Sequence, residues 1–201
     1  MRIEGTLGIK VGILVFPDVE ELDFVGVLET LGMTRRISDQ SFFEIRILGV
    51  DHRPVRCMNG LVVVPDGDMQ NLLDQDVIVV PGGRGVLRLL KQEELMQILR
   101  TAYDRAKFVC SVCTGSVLLG KAGLLRGRKA TTHHLRFDEL MTYSEGVIPV
   151  HERVVRDGKI ITGAGISSSL DTGLFLIQLL LGNDISAEVA RRIEYKAATP
   201  A

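Results

Sequence analysis

Hydrophobic residues in this chain occur in short continuous runs that alternate with stretches of helical periodicity. Ile9 to Phe16 is apolar apart from Lys10, and it ends at Pro17-Asp18, a pair that stops a regular strand. Near-continuous runs of Val, Ile and Leu are typical of strands covered on both faces, as in a parallel sheet. The runs of this kind are Ile9 to Phe16, Phe42 to Val50, Asp76 to Val80 and the stretch that leads to Cys113.

The segments between these runs predict helices. Apolar residues recur at three- and four-residue spacing from about Val86 to Arg105, and one long apolar helix is expected from about Ser167 to Leu181. Further helices are predicted from about Glu20, after Cys113 to about Gly123, from His133 to Tyr143, and from a Ser186 cap to about Tyr195.

Two turn signals add a small antiparallel part. Asn59-Gly60 and Asp157-Gly158 are typical of tight hairpins, and Ala130 to Thr132 predicts a brief strand. Strands that alternate with helices predict a three-layer α/β/α sandwich with a mainly parallel, flavodoxin-like sheet. The sequence shows no internal repeat and no linker, so we expect residues 1–201 to form a single domain.

Composition narrows the range of partners. The chain has 24 basic and 25 acidic side chains and a formal charge of -1, which does not favour binding to nucleic acid or to an anionic membrane. No apolar run approaches the roughly 20 residues of a membrane helix, and the first residues lack a secretory signal, so a cytoplasmic location is expected. Three cysteines suggest reduced thiols. A small-molecule substrate and a second copy of the chain are the expected partners.

The most informative residue is Cys113, where a strand pattern changes directly into a helix pattern. Ser111-x-Cys113-x-Gly115 has the small-x-nucleophile-x-small spacing of a nucleophile elbow. The N-terminal N–H groups of the following helix would lower the pKa of the thiol and favour the thiolate. The alternative is that Cys113 is one more small apolar residue of the core.

Three loops are expected to meet around this cysteine, because ligands bind at the carboxyl ends of the strands in such a sheet. They are the turn after the first strand, the Gly82-Gly83 turn, and the Cys113 turn itself. A nucleophile, an oxyanion pocket and a carboxylate would then share one site. The acidic residues of the first turn are Asp18, Glu20, Glu21 and Asp23.

Three other patterns in the sequence resemble nucleotide- or metal-binding motifs but do not match them. The segment from Gly115 to Ala122 is one residue from a phosphate-binding loop, but Ala122 lacks the hydroxyl that a nucleotide's magnesium needs, and the glycine pattern that begins at Gly83 breaks at Arg88. Adjacent His133 and His134 cannot both bind one metal from a regular helix. Neither a metal nor a cofactor is therefore expected, while His133 either borders the cleft or is a solvated surface residue.

With these residues in place, the sequence resembles the ThiJ/PfpI superfamily, which has a class I glutamine amidotransferase-like fold, and within it the isonitrile hydratases. The resemblance covers nearly the whole chain. The matching blocks are 15–23, 80–86, 111–116, 122–133 and 150–158. The same blocks occur in the amidase-like domains of AraC-type regulators, so a sensor remains open beside an enzyme.

The resemblance implies a cofactor-free homodimer in which the Cys113 thiolate attacks the terminal carbon of an isonitrile. Asp23 would handle protons and water, Thr114 would position the substrate, and an N-substituted formamide would leave. Gly82, Gly83, Thr114 and His133 would bind the substrate or an oxyanion. A glyoxalase- or deglycase-like thiol enzyme is a further alternative.

Two positions depart from the family pattern. The chain has Val27 where many relatives have proline, and His134 where they have tryptophan. Loss of the indole is expected to make the cleft more polar, which favours a substrate other than a small apolar isonitrile.

Overall fold

A computed structural model describes residues 8–38 and 41–196 of the chain. Its centre is a seven-stranded sheet in the order β10-β11-β7-β6-β1-β2-β5. All neighbouring strands are parallel except β10, which is antiparallel to β11 at one edge. The long strands of this sheet are β1 (Ile9–Val15), β2 (Phe43–Gly49), β6 (Val77–Val80), β7 (Phe108–Val112), β10 (Val154–Asp157) and β11 (Ile160–Gly163).

The remaining strands are two residues long. Asn59-Gly60 does connect an antiparallel pair, as predicted, and the Asp157-Gly158 turn joins β10 to β11. These short strands are β3 (Val55–Arg56), β4 (Val62–Val63), β5 (Gly67–Asp68), β8 (Lys129–Ala130) and β9 (Ile148–Pro149).

Helices cover both faces of the sheet, because its central strands are buried on both sides. The helices are α1 (Glu21–Met33), α2 (Val86–Leu89), α3 (Glu93–Arg105), α4 (Gly115–Lys121), α5 (Phe137–Tyr143), α6 (Ser168–Leu181) and α7 (Asn183–Arg192), with 3-10 turns over Thr34–Arg36 and Met69–Asp74. Helix α6 packs between α1 and α7, whereas α4 contacts α2, α3 and α5. The predicted mainly parallel α/β fold is confirmed. None of the helices in the described part of the chain has the length and hydropathy to cross a membrane.

Some predicted boundaries are wrong. The helix expected from Val86 to Arg105 is two helices: α2 ends at Leu89, and Gln92, with an extended backbone, is the residue from which α3 begins. The helix expected from His133 starts only at Phe137. Ser186 does not cap the last helix: it lies inside α7, and its hydroxyl donates to the carbonyl of Leu174 at 2.8 Å, which fastens α7 to α6.

Candidate active site

The three loops expected to meet do so at the carboxyl ends of β1, β6 and β7, which are neighbours in the sheet. Helix α1 follows β1 and carries Asp23; the Gly82-Gly83 turn follows β6; Cys113 follows β7 directly. The order of the central strands reverses between β1 and β6, the place where open α/β sheets bind ligands.

Cys113 has a backbone conformation that is rare for a residue with a side chain, with φ of 56°. Its N–H donates to the carbonyls of Gly163 and Ala164 at 3.1 and 2.7 Å, and its carbonyl accepts from the hydroxyls of Ser116 and Thr132, both at 3.1 Å. Four bonds therefore hold one strained residue between strand and helix. Strain of this kind concentrates at functional sites, which favours a role for the thiol over plain core packing.

Gly115 allows this turn to close. A Cβ atom there would lie 1.9 Å from the carbonyl oxygen of Val80. Helix α4 therefore approaches strand β6 so closely that glycine is required two positions after Cys113.

Asp23 lies beneath the cysteine and has no exposed surface. Its Oδ2 accepts from the N–H of Gly82 at 2.8 Å, the carboxyl contacts the Cys113 thiol, and Oδ1 has no hydrogen-bond partner among the described residues. Burial raises the pKa of Asp23 from 3.8 to about 8; the bonds from Gly82 and Cys113 oppose this shift, and the charge of Glu20 adds to it. Asp23 is therefore a neutral carboxylic acid near pH 7.

The thiol is also protonated in the resting site. Cys113 is 7% exposed, and its burial raises the pKa of the thiol to about 12, with a further contribution from the carboxyl of Asp23, which ionises at a lower pH than the thiol. The N–H groups of Ile166 and Thr114 and the Thr114 hydroxyl lower the pKa only in part. The prediction of a resting thiolate is wrong, because desolvation of the sulfur outweighs the N–H groups that point at it.

The two glycines position the site and do not offer free donors. Gly82 donates its N–H to Asp23, and the N–H of Gly83 donates to the hydroxyl of Thr114 at 3.0 Å, so an oxyanion would have to compete with these bonds, and the binding role of both glycines stays a prediction. A Cβ on Gly82 would lie 2.5 Å from the Thr114 hydroxyl oxygen and 3.0 Å from Oδ2 of Asp23. The donors directed at the sulfur are instead the N–H groups of Thr114 and Ile166.

Ile166 was not a predicted site residue. It lies between β11 and α6, at the carboxyl end of the strand next to β7, with φ of 20°. The sequence could have indicated Ile166 only through its position after a strand of the parallel sheet. The Asp157-Gly158 turn predicted an antiparallel hairpin instead, so the loop after that strand was not considered.

A cavity of about 190 Å³ opens over the sulfur. It is lined by the predicted residues Glu20, Gly83, Cys113, Thr114 and His133, and by seven others: Met58, Arg84, Val86, Leu87, Arg136, Glu139 and Ile166. The sequence pattern gave no signal for most of these seven, because they come from turns and helix ends that only the fold brings together.

His133 borders the cavity, and burial, followed by the nearby His134 and Arg136, lowers its pKa, so the ring is neutral near pH 7. The ring of His134 lies 4.4 Å from that of His133, but His134 is exposed and does not line the cavity. Position 134 therefore does not contribute to the cavity wall, whose charged residues include the paired Arg136 and Glu139.

The acidic residues of the first turn have separate tasks. Asp18 pairs with Arg88 at 2.5 Å, and Glu21 accepts from the N–H and side chain of Asn59 at 2.6 and 2.8 Å. Only Glu20 lines the cavity, and only Asp23 contacts the thiol.

The other cysteines lie away from the cavity. Cys110 is buried within β7 and Cys57 beside the β3–β4 hairpin; burial raises the pKa of both thiols, that of Cys57 to about 11. Among residues 8–38 and 41–196, no group of three or more His, Cys, Asp and Glu side chains is arranged to hold a metal ion.

Comparisons with known proteins show which proteins this chain is similar to. The chain is 39% identical over 194 residues to an isonitrile hydratase of Pseudomonas putida. The alignment covers 96% of this chain and 82% of that protein. It is 31% identical over 179 residues to the HTH-type transcriptional regulator CdhR of Pseudomonas aeruginosa, covering 89% of this chain and 53% of the regulator.

A solved structure and a family profile point the same way. The crystal structure of a ThiJ/PfpI family protein from Pseudomonas syringae superimposes with a TM-score of 0.85 at 33% identity, over 96% of this chain and 78% of that one. Residues 9–179 match the DJ-1/PfpI family. With its strained cysteine, buried acid and parallel sheet, this chain belongs to the DJ-1/PfpI family.

Proposed function

We propose that the protein hydrates a small carbon–nitrogen electrophile, an isonitrile, to an N-substituted formamide through Cys113. The observation that carries this proposal is the contact between the cavity-lining thiol and the carboxyl of Asp23, which is neutral near pH 7. The chemistry needs a soft nucleophile and a proton donor that both act on one carbon, and this pair supplies them. Similarity to the Pseudomonas putida isonitrile hydratase supports the same reaction.

The first step would add the thiol across the terminal carbon. The sulfur forms a bond to that carbon, Asp23 gives its proton toward the same carbon, and the thiol proton passes to Asp23, which leaves a thioimidate R–N=CH–S on Cys113. The free Oδ1 of Asp23 allows one oxygen to accept a proton while the other releases one. Because Asp23 stays neutral before and after the step, no charge is left buried beneath the sulfur.

The second step would consume one water molecule. Water adds to the thioimidate carbon, the carbon–sulfur bond breaks, and the formamide R–NH–CHO leaves while the sulfur recovers a proton. The N–H groups of Thr114 and Ile166 and the Thr114 hydroxyl point at the sulfur, so they would stabilise its negative charge as it leaves.

The test is the Cys113→Ala variant against a panel of isonitriles, with formamide measured by proton NMR and folding checked by circular dichroism. We expect turnover to vanish with the fold intact. Hydration by the alanine variant at the parental rate would remove the nucleophile assignment. Cys110→Ala is the matched control, because Cys110 is buried in the preceding strand and does not line the cavity.

A ligand sensor is the second candidate, favoured by the similarity to a transcriptional regulator and by the protonated state of the resting thiol. A sensor that reads cavity shape would still bind its ligand after Cys113→Ala, whereas a hydratase would lose its reaction. Methylglyoxal assayed in parallel would reveal a glyoxalase-like activity. The homodimer and the cytoplasmic location stay predictions.

A further inference from the structure

Four charged side chains line the cavity, and their partners differ. Arg136 and Glu139 form an ion pair with 2.5 Å between nitrogen and oxygen, so their charges largely cancel. Glu20 accepts from the side chain of Asn59 at 3.5 Å. Arg84 is exposed, and its guanidinium has no hydrogen-bond or ion-pair partner within residues 8–38 and 41–196.

The backbone that carries Arg84 is held in place. Its N–H donates to the sulfur of Met58 at 3.4 Å. Gly83 before it has φ of 126°, and a Cβ on Gly85 after it would lie 2.1 Å from the carbonyl oxygen of Pro17. Arg84 therefore projects from a fixed point of the turn that borders Cys113, and little ordering of the backbone would be needed when a ligand binds.

We propose that the substrate carries a carboxylate, and that Arg84 binds this group while the reactive carbon contacts Cys113. This inference rests on the proposed function and adds the chemical class of the substrate. A guanidinium presents a planar fork that matches a carboxylate with two parallel hydrogen bonds. Val86, Leu87 and Ile166 line the same cavity and would contact the apolar part between the carboxylate and the reacting carbon.

The carboxylate of Glu20 would repel an anion bound in this cavity. Replacing Glu20 should therefore have the opposite effect to replacing Arg84, which gives a second test of the proposal. The pKa of Glu20 is raised by burial and by the charge of Glu21, while the Leu22 N–H and the side chain of Asn59 lower it. If the carboxylate of the substrate lies between Arg84 and the sulfur, removing the charge of Glu20 should strengthen its binding.

The first experiment compares alkylation of Cys113 by iodoacetate and by iodoacetamide, scored by peptide mass spectrometry. The two reagents react with the same thiolate, so the ratio of their rates cancels changes in its pKa and reports on the carboxylate alone. Relative to the parent, we expect Arg84→Gln to lower the iodoacetate-to-iodoacetamide ratio about fivefold, as for loss of one solvent-exposed ion pair. Glu20→Gln should raise it.

The matched control is Arg88→Gln, which removes an equal charge four residues further along the chain. Arg88 already pairs with Asp18 and does not line the cavity, so the ratio should stay at the parental value. An equal ratio in Arg84→Gln and the parent would overturn the proposal, and so would a Cys113 that neither reagent modifies.

The second experiment compares hydration of isocyanoacetate with hydration of its ethyl ester. We expect kcat/KM to favour the carboxylate about tenfold in the parent, and Arg84→Gln to abolish this preference while hydration of the ester persists. Hydration of the ester with no preference for the acid would overturn the carboxylate proposal and leave the proposed function intact. Hydration of neither compound, together with an alkylation ratio that depends on Arg84, would keep the anion site and refute isonitrile hydration.

Discussion

Replacing Asp23 by asparagine tests the protonation state on which the mechanism depends. A carboxyl whose pKa is higher in the folded than in the unfolded protein stabilises the fold fully below its unfolded pKa, and this contribution is lost as the pH rises through the folded value. For Asp23 these values are 3.8 and about 8. Since one pH unit corresponds to about 1.4 kcal/mol, the parent should lose about 6 kcal/mol over the whole interval and about 4 kcal/mol by pH 7.

An asparagine side chain cannot ionise, so Asp23→Asn should escape this loss while it keeps an oxygen for the N–H of Gly82. The assay is urea unfolding of parent and variant at each whole pH value from about 4 to about 10, which spans both pKa values of Asp23. We expect the stability of the variant minus that of the parent to increase by several kcal/mol between pH 4 and pH 8 and then to level off. If the stability difference between variant and parent is constant over this range, the buried carboxyl is not neutral. Asp23 could then not act as the proton donor.

The matched control has the opposite sign. Burial alone would raise the pKa of Asp76, but hydrogen bonds from the Lys10 N–H and from Lys107 lower it overall. Asp76 therefore stabilises the fold above its unfolded pKa, and this contribution is lost as the pH falls through the folded value. Asp76→Asn should lose stability relative to the parent at pH 7, not gain it.

Two further predictions concern activity. Asp23→Asn should lose isonitrile turnover, because the acid transfers protons in the proposed reaction. Iodoacetamide should still alkylate Cys113 in this variant, because the sulfur remains accessible from the cavity. Equal turnover in variant and parent would exclude Asp23 from the reaction. Gly82→Ala should lower kcat by at least about tenfold, since its Cβ would displace Thr114 and Asp23; an unchanged kcat in a folded Gly82→Ala protein would contradict the positioning described for both residues.

The local pattern of the sequence was sufficient for the scaffold of the site. Continuous apolar runs identified the central strands, because a strand covered on both faces consists mainly of apolar residues. Small residues around Cys113 identified the tight turn, and the position of Asp23 soon after the first strand placed an acid at the same edge of the sheet. These features depend on residues that are close together in the chain.

Other features depend on segments that meet only in the folded protein. The break near Gln92 was missed although four consecutive polar residues, Lys91 to Glu94, interrupt the apolar spacing there. Ile166 contributes an N–H to the sulfur from a loop after another strand, and Arg84 and Arg136 reach the cavity from separate elements.

The sequence by itself determined the fold class, the cysteine at the end of β7 and a group of four acids near it, from which the family resemblance selected Asp23. Only the tertiary structure decided the ionisation of that pair. An ordinary thiol at a helix start would favour the thiolate, yet packing removes water from both Cys113 and Asp23 and raises both pKa values. Desolvation is set by every element that covers a group, and those elements come from distant parts of the chain, so no local pattern reports it.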